Sequence, residues 1–185
     1  MIILCVPLNV WAIFPQPVES QVKEALERGH EAARQHQPPN MLYWPFGPSD
    51  GFHPHGFLMT KLSGLAVMSS HFALRGEQPS NQDIRRILDE DVLQVVVIVF
   101  GHSPRFATNS YLLLKQGDRV VKPDWIRFDA RAVAIDRDQG KAMFRAKIVG
   151  GFAYGTFDPE LLTSLMVFPG PGGQVMFSLN FSEIP

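Results

Sequence analysis

The sequence predicts an α+β fold in which an N-terminal helical segment of two to three helices packs on a C-terminal antiparallel, Ig-like β-sandwich. Residues 17–90 carry apolar side chains at helical spacing. Residues 91–185 instead hold roughly seven short apolar or alternating segments with turn residues about every 8 to 12 positions, which is typical of a sandwich. With 45% hydrophobic and 19% charged residues, the 185-residue chain has enough apolar side chains for one shared core.

The first helix is predicted over residues 17–36. Val18, Val22 and Leu26 recur at a spacing of four, and charged residues occupy the other faces. A pair of prolines follows at positions 38 and 39, and the residue before a proline is disfavoured in a helix. The helix therefore ends before this pair.

Residues 56–74 predict a second helix, whose apolar stripe is so wide that little polar face remains. Such a helix is expected in the middle of the protein. Ser80 is followed three residues later by Asp83, a spacing that predicts the capped start of a short third helix.

Strand patterns begin after Asp91. Residues 93–100 are apolar except for Gln94, a composition that predicts a strand buried on both faces. The pair Gly150-Gly151 interrupts a later strand and predicts a bulge or a bend. The other predicted strands cover residues 110–115, 120–128, 131–135, 142–154, 165–168 and 175–181.

Residues 1–16 read as an export segment. Their apolar part is shorter than the roughly 20 residues needed to span a bilayer. Val10 and Ala12 stand where a signal-peptide cleavage site has small residues, although no Lys or Arg precedes the apolar part. The sequence therefore favours a periplasmic or secreted protein, with a first strand of the fold as the alternative. The single cysteine, Cys5, lies in this segment, so the cleaved protein would have no disulfide.

The net charge and the absence of known glycine motifs limit the classes of partner and cofactor that the sequence predicts. The formal net charge is -1 and no run of Lys or Arg occurs, so neither nucleic acid nor an anionic membrane surface is an expected partner. No dinucleotide-binding or phosphate-binding glycine motif is present, and no cofactor is predicted. No membrane-spanning segment is expected in the mature form, and the oligomeric state is left open.

The stretch Gly101-His102-Ser103 follows a buried strand, as the nucleophile of a serine hydrolase does. Position 105 holds an arginine where the hydrolase motif has its second glycine. Pro104 has no N–H, although the residue after the serine must donate one to the oxyanion. Ser103 is therefore predicted to be a turn residue.

Histidines supply the alternative, enzymatic hypothesis. His53, His55 and His71 would bind the metal of a metal-dependent hydrolase. Nothing in their spacing requires a shared site, and the preferred interpretation is that the loop histidines form hydrogen bonds to backbone carbonyls or contact water. Lys61 interrupts the apolar stripe of the second helix and is expected to reach solvent or to pair with an acid such as Asp89 or Asp91.

The preferred function is a non-catalytic binding or assembly module of the bacterial cell envelope, with an envelope protein as its partner. Helices followed by an Ig-like sandwich behind a signal segment are a common plan among exported bacterial proteins. The loop after the first helix offers large rigid side chains of the kind that dominate binding interfaces, Tyr43, Trp44, Phe46 and Phe52. The alternative is that these rings cover the junction between helices and sheet.

Overall fold

The computed structural model describes residues 13–135, 142–170 and 173–184. It confirms an α+β protein whose strands form antiparallel sheets. Within the described residues the helices are α1 (Glu19–Arg34), α2 (Lys61–Leu74) and α3 (Asn81–Leu88), with short 3-10 turns at Pro39–Leu42 and Phe181–Glu183. The strands are β1 (Trp44–Phe46), β2 (His55–Met59), β3 (Val92–Gly101), β4 (Tyr111–Gln116), β5 (Arg119–Val121), β6 (Trp125–Phe128), β7 (Val133–Ile135), β8 (Met143–Ala153), β9 (Leu162–Phe168) and β10 (Val175–Asn180).

The strands form two sheets. Sheet A has the order β1-β2-β3-β8-β6, with β7 also paired to β8, and sheet B has the order β10-β9-β4-β5. Alternate residues of β3, such as Val95 and Val97, belong to the same buried cluster as Leu112 and Leu114 of β4. The two sheets therefore pack against each other around one shared core, as the alternation along their strands requires.

The helices lie on the outer side of sheet A. Val96 alternates with the inward residues of β3, so it faces away from sheet B, and yet it is only 4% exposed. Tyr43, just after the first 3-10 turn, stacks on Phe57 of β2 and also packs against Val67 of α2. One layer of helices therefore covers the β2–β3 part of this face. The predicted burial of β3 on both faces holds at Val96, whereas Gln94 and Ile98 on the same face are partly exposed.

Close packing of α1 on α2 depends on a glycine. A Cβ atom at Gly29 would lie 2.0 Å from the carbonyl oxygen of Ala66. At this crossing Ser69 donates a hydrogen bond from its hydroxyl to the carbonyl of Leu26. The two backbones approach so closely that no larger residue fits at position 29.

The predicted second helix is wrong in its first part. Residues 55–59 form strand β2, paired with β3, and α2 begins only at Lys61. Thr60 caps the helix, because its hydroxyl accepts a hydrogen bond from the N–H of Ser63 and the Ser63 hydroxyl accepts one from the Thr60 N–H. The predicted helical part, residues 17–90, thus contains the three helices but also supplies β1 and β2 to sheet A.

Two predictions about later strands are also corrected. Residues 120–128 form not one strand but two, β5 in sheet B and β6 in sheet A. Strand β8 pairs with β3 without interruption at Gly150 and Gly151, so there is no bulge. These glycines make room instead, since a Cβ at Gly150 would lie 2.6 Å from Leu112 and one at Gly151 would lie 2.4 Å from the ring of Trp125.

The predicted export segment lies mostly outside the described residues, which begin at Ile13. Ile13 is 1% exposed and belongs to the core shared by the two sheets. The end of the predicted segment therefore forms part of the folded protein. Among the helices described, none is long and apolar enough to cross a bilayer.

Candidate functional site

The aromatic side chains predicted to bind a partner are mostly packed inward. Phe46 is 9% exposed and meets Phe177 edge-on, with ring centres 4.9 Å apart. Tyr43 stacks on Phe57 at 4.8 Å, and Trp44 is half-buried against the shared core. Phe52, at 45% exposure, is the most solvent-accessible of the four predicted residues. The loop thus joins the helices to sheet A.

The histidines of this loop form local contacts. The His53 ring pairs with the carboxylate of Asp50, and His55 hydrogen-bonds through Nδ1 to the carbonyl of His53. The N–H of Phe52, the His53 ring and the N–H of His53 all favour the ionised carboxylate, and they lower the pKa of Asp50 to about 2. This arrangement organises an exposed turn.

His71 lies in α2 and is exposed. Among the described residues, no group of three or more His, Cys, Asp or Glu side chains is placed to hold a metal ion. The structure therefore does not bring His53, His55 and His71 together into one three-histidine site. Ser103 is exposed in a turn, where its carbonyl accepts the N–H of Phe106.

Lys61 is the most unusual polar residue of the fold. It is 6% exposed, and its ammonium group donates to the carbonyl of Leu88 and lies 5.4 Å from the ring centre of Tyr154. It neither reaches solvent nor pairs with Asp89 or Asp91, in contrast to the sequence prediction. A buried ammonium held by one carbonyl and one aromatic face is costly to desolvate.

Tyr154 stands beside this lysine. Burial raises the pKa of its hydroxyl far above the ordinary value, while the nearby backbone N–H of Lys61 acts in the opposite direction. Within the described part of the chain, the hydroxyl has no hydrogen-bond partner of good geometry. Sequence reasoning missed Tyr154, because its position beside Lys61 depends on the pairing of β8 with β3.

A cavity of about 230 Å³ opens next to Lys61, between α2 and sheet A. Its wall is mainly apolar, with a few polar groups. The lining residues are Tyr43, Met59, Thr60, Lys61, Gly64, Val67, Met68, Ile87, Glu90, Val92 and Gln94.

The outer face of sheet B is a second candidate site. Met176, Met166 and Leu113 lie opposite one another on three neighbouring strands and form a row across this face. Met176 is 64% exposed, and Leu162 on the same face is 65% exposed. Met166 and Leu113 are partly buried. Contiguous apolar side chains that reach solvent are typical of interaction surfaces.

Strand β10 forms one edge of sheet B, and it differs from the other edges. Its sequence, VMFSLN, contains neither a charged residue nor a proline. The edge strand β1 is three residues long with Pro45 in its middle, β5 carries Arg119, and β6 carries Arg127. Short length, proline and charge are the usual protections of an edge strand against pairing. Strand β10 has none of them.

The chain matches no protein-family model, and no curated protein is similar to it in sequence.

Proposed function

We propose that the protein is an exported, non-catalytic binding or assembly module of the bacterial cell envelope, and that an extended apolar segment of a partner protein adds to strand β10. The observation that carries the proposal is the unprotected edge of β10, whose exposed Met176 begins a row of partly exposed apolar side chains. An Ig-like arrangement of the two sheets is part of this proposal, because the edge strands of such domains are common binding surfaces.

Strand addition follows from the hydrogen-bonding pattern of an antiparallel ladder. About half of the residues of an edge strand direct their N–H and C=O groups away from their neighbour. No described strand pairs with the side of β10 that faces away from β9. A partner strand would use these groups for affinity and would place its own side chains next to Met176 and Ser178.

The size of the open face also favours a strand over a globular partner. Four strands spaced about 4.8 Å apart, with about six residues of about 3.3 Å each, give a face of roughly 400 Å². A stable interface between globular proteins buries about 800 Å² on each partner. The face alone is too small, whereas an added strand gains main-chain hydrogen bonds as well as apolar contacts.

The binding surface therefore differs from the aromatic loop predicted from sequence. Phe46, Tyr43 and Trp44 pack within the fold, and Phe52 alone offers little area. The metal-dependent hydrolase is not proposed here, since no observation favours it over the binding module. Export is supported by the apolar start with Val10 and Ala12, and a fusion of residues 1–20 to a reporter active only outside the cytoplasm tests it.

The strand-addition proposal is tested by titrating the full chain with seven-residue peptides of alternating apolar and polar residues, followed by NMR. We expect amide shifts along β10, and no shifts with the same peptides carrying a central proline, which cannot continue a ladder. Met176→Lys should weaken peptide binding about tenfold, because a charge on an edge strand opposes pairing.

The matched control is Val120→Lys. Val120 is 52% exposed on β5, at the opposite edge of sheet B. Both substitutions should change the free energy of unfolding by no more than about 0.5 kcal/mol, since both sites are exposed. Equal peptide binding by wild type and Met176→Lys, or shifts confined to sheet A, would remove β10 as the binding edge.

A further inference from the structure

The cavity between α2 and sheet A is small and mostly apolar. At about 30 Å³ per water, its volume of about 230 Å³ has room for about eight water molecules or a similar number of ligand atoms. Met59, Val67, Met68, Ile87 and Val92 supply its apolar wall. Two of these are methionines, whose flexible side chains adapt to unbranched apolar chains. The cavity therefore suits a short aliphatic tail.

One cation in the wall, the ammonium group of Lys61, forms no direct ion pair among the described residues. An ammonium group has three donor hydrogens, and Lys61 uses one for the carbonyl of Leu88. In the described part of the chain no carboxylate lies within 4.0 Å of this ammonium group. Because Lys61 is 6% exposed, bulk solvent screens its charge less than it screens the charge of a surface lysine. An anion in the cavity would complete its hydrogen bonds and its charge balance.

The backbone strengthens the same preference. Lys61 is the first residue of α2, a helix of 14 residues whose capping residue Thr60 also lines the cavity. The N-terminal end of a helix carries a partial positive charge and favours an anion. The charge of the Lys61 ammonium group and the dipole of α2 therefore both favour an anion at this end of the cavity.

Glu90 limits which anions fit. It is exposed, lines the cavity, and accepts a hydrogen bond from the side chain of Gln94 at 3.1 Å. Its negative charge opposes a second negative charge on the ligand. With one ammonium group and one carboxylate in the wall, we expect a single anionic group attached to an apolar tail to fit better than a dicarboxylate or a phosphate.

We propose that this cavity binds a short-chain aliphatic monocarboxylate, with Lys61 as the residue that recognises the carboxylate. The site is separate from strand β10 and does not depend on the proposed binding of a partner. It explains why an ammonium group is buried in the wall of an otherwise apolar cavity, where a lysine would ordinarily extend to solvent.

The test compares four probes on the full chain, hexanoate, 1-hexanol, hexylamine and hexanedioate, by NMR titration and by thermal shift. We expect hexanoate to bind at least about tenfold more tightly than the other three probes and to change the amide chemical shifts of α2 and β3. Lys61→Met should lose this preference, binding hexanoate about as weakly as wild type binds 1-hexanol. Lys61→Arg should keep a preference for hexanoate.

A second variant covers the case in which Lys61→Met fails to fold. Gly64 lines the cavity, and a Cβ there would meet only the side chain of Ile87, at 3.3 Å. Gly64→Leu should fill the cavity and abolish the binding of hexanoate without lowering the melting temperature. The proposal is overturned if wild type binds none of the probes or binds all four equally, or if Gly64→Leu still binds hexanoate as wild type does.

Discussion

The two sheets differ in what covers their outer faces, and the burial of residues along their strands differs accordingly. Strand β3 of sheet A lies under the helices, and its outward residue Val96 is as deeply buried as its inward neighbours. Strand β9 of sheet B alternates between buried residues such as Leu165 and partly exposed ones such as Met166. The consecutive apolar residues Val95, Val96 and Val97 thus mark the covered part of sheet A, and alternation marks the open sheet B.

The helical layer makes the outer faces of the two sheets different, since one is covered and the other is open to solvent. The helical layer has two small apolar clusters of its own, and a cavity lies at its junction with sheet A. Sheet B has no described layer over it, and its apolar side chains Met176 and Leu162 are exposed to solvent. Stability should therefore respond strongly to changes under the helices and weakly to the same changes on sheet B.

The largest effect is expected at the contact that holds the helical layer together. Gly29→Ala should reduce the free energy of unfolding by about 3 kcal/mol, the upper part of the range for overpacking, because the Ala66 carbonyl is backbone and cannot move aside. Gly64→Ala is the matched control in α2, where only the flexible Ile87 side chain is near. It should be neutral or stabilising by up to about 1 kcal/mol, since alanine favours a helix.

Chemical denaturation of both variants measures this difference. Equal stability of Gly29→Ala and Gly64→Ala would mean that α1 does not pack on α2 as closely as described. That result would contradict the description of a closely packed helical layer over the outer face of sheet A.

A smaller effect is expected from one isosteric substitution made on each sheet. Val96→Thr buries a hydroxyl beneath the helical layer and should cost about 1–3 kcal/mol. Val120→Thr makes the same change at a residue that is 52% exposed on sheet B, and it should cost no more than about 0.5 kcal/mol. Melting temperatures of the two variants provide the measurement, and a reversed order would contradict the assignment of covered and open faces.

Local patterns in the sequence predict much of the fold. The apolar spacing predicts α1, although Val18 proves to be its exposed N-cap residue rather than part of the inward face. Ser80 with Asp83 predicts the start of α3, whose cap has the expected hydrogen bonds. The strand β2 is missed because its five residues run directly into the apolar helix α2. The Thr60 and Ser63 side chains are the local signal that could have separated the two.

The candidate sites were harder to predict because they depend on contacts between distant residues. The sequence singles out Lys61 as an interruption in an apolar stripe. Its partner, the carbonyl of Leu88, is 27 residues away, and the Tyr154 ring comes from the end of β8. The proline that splits residues 120–128 is visible at Pro123, but the assignment of β5 and β6 to different sheets is set by long-range pairing.

Amide hydrogen exchange of the free protein tests the central claim, an open edge at β10, most directly. Strand β3 lies between β2 and β8, so its amides should exchange most slowly, at a rate set by global unfolding. About half of the β10 amides point away from β9 and should exchange with little protection, alternating with protected ones. Uniform protection along residues 175–180, equal to that of β3, would show that the edge is already paired and would contradict the account.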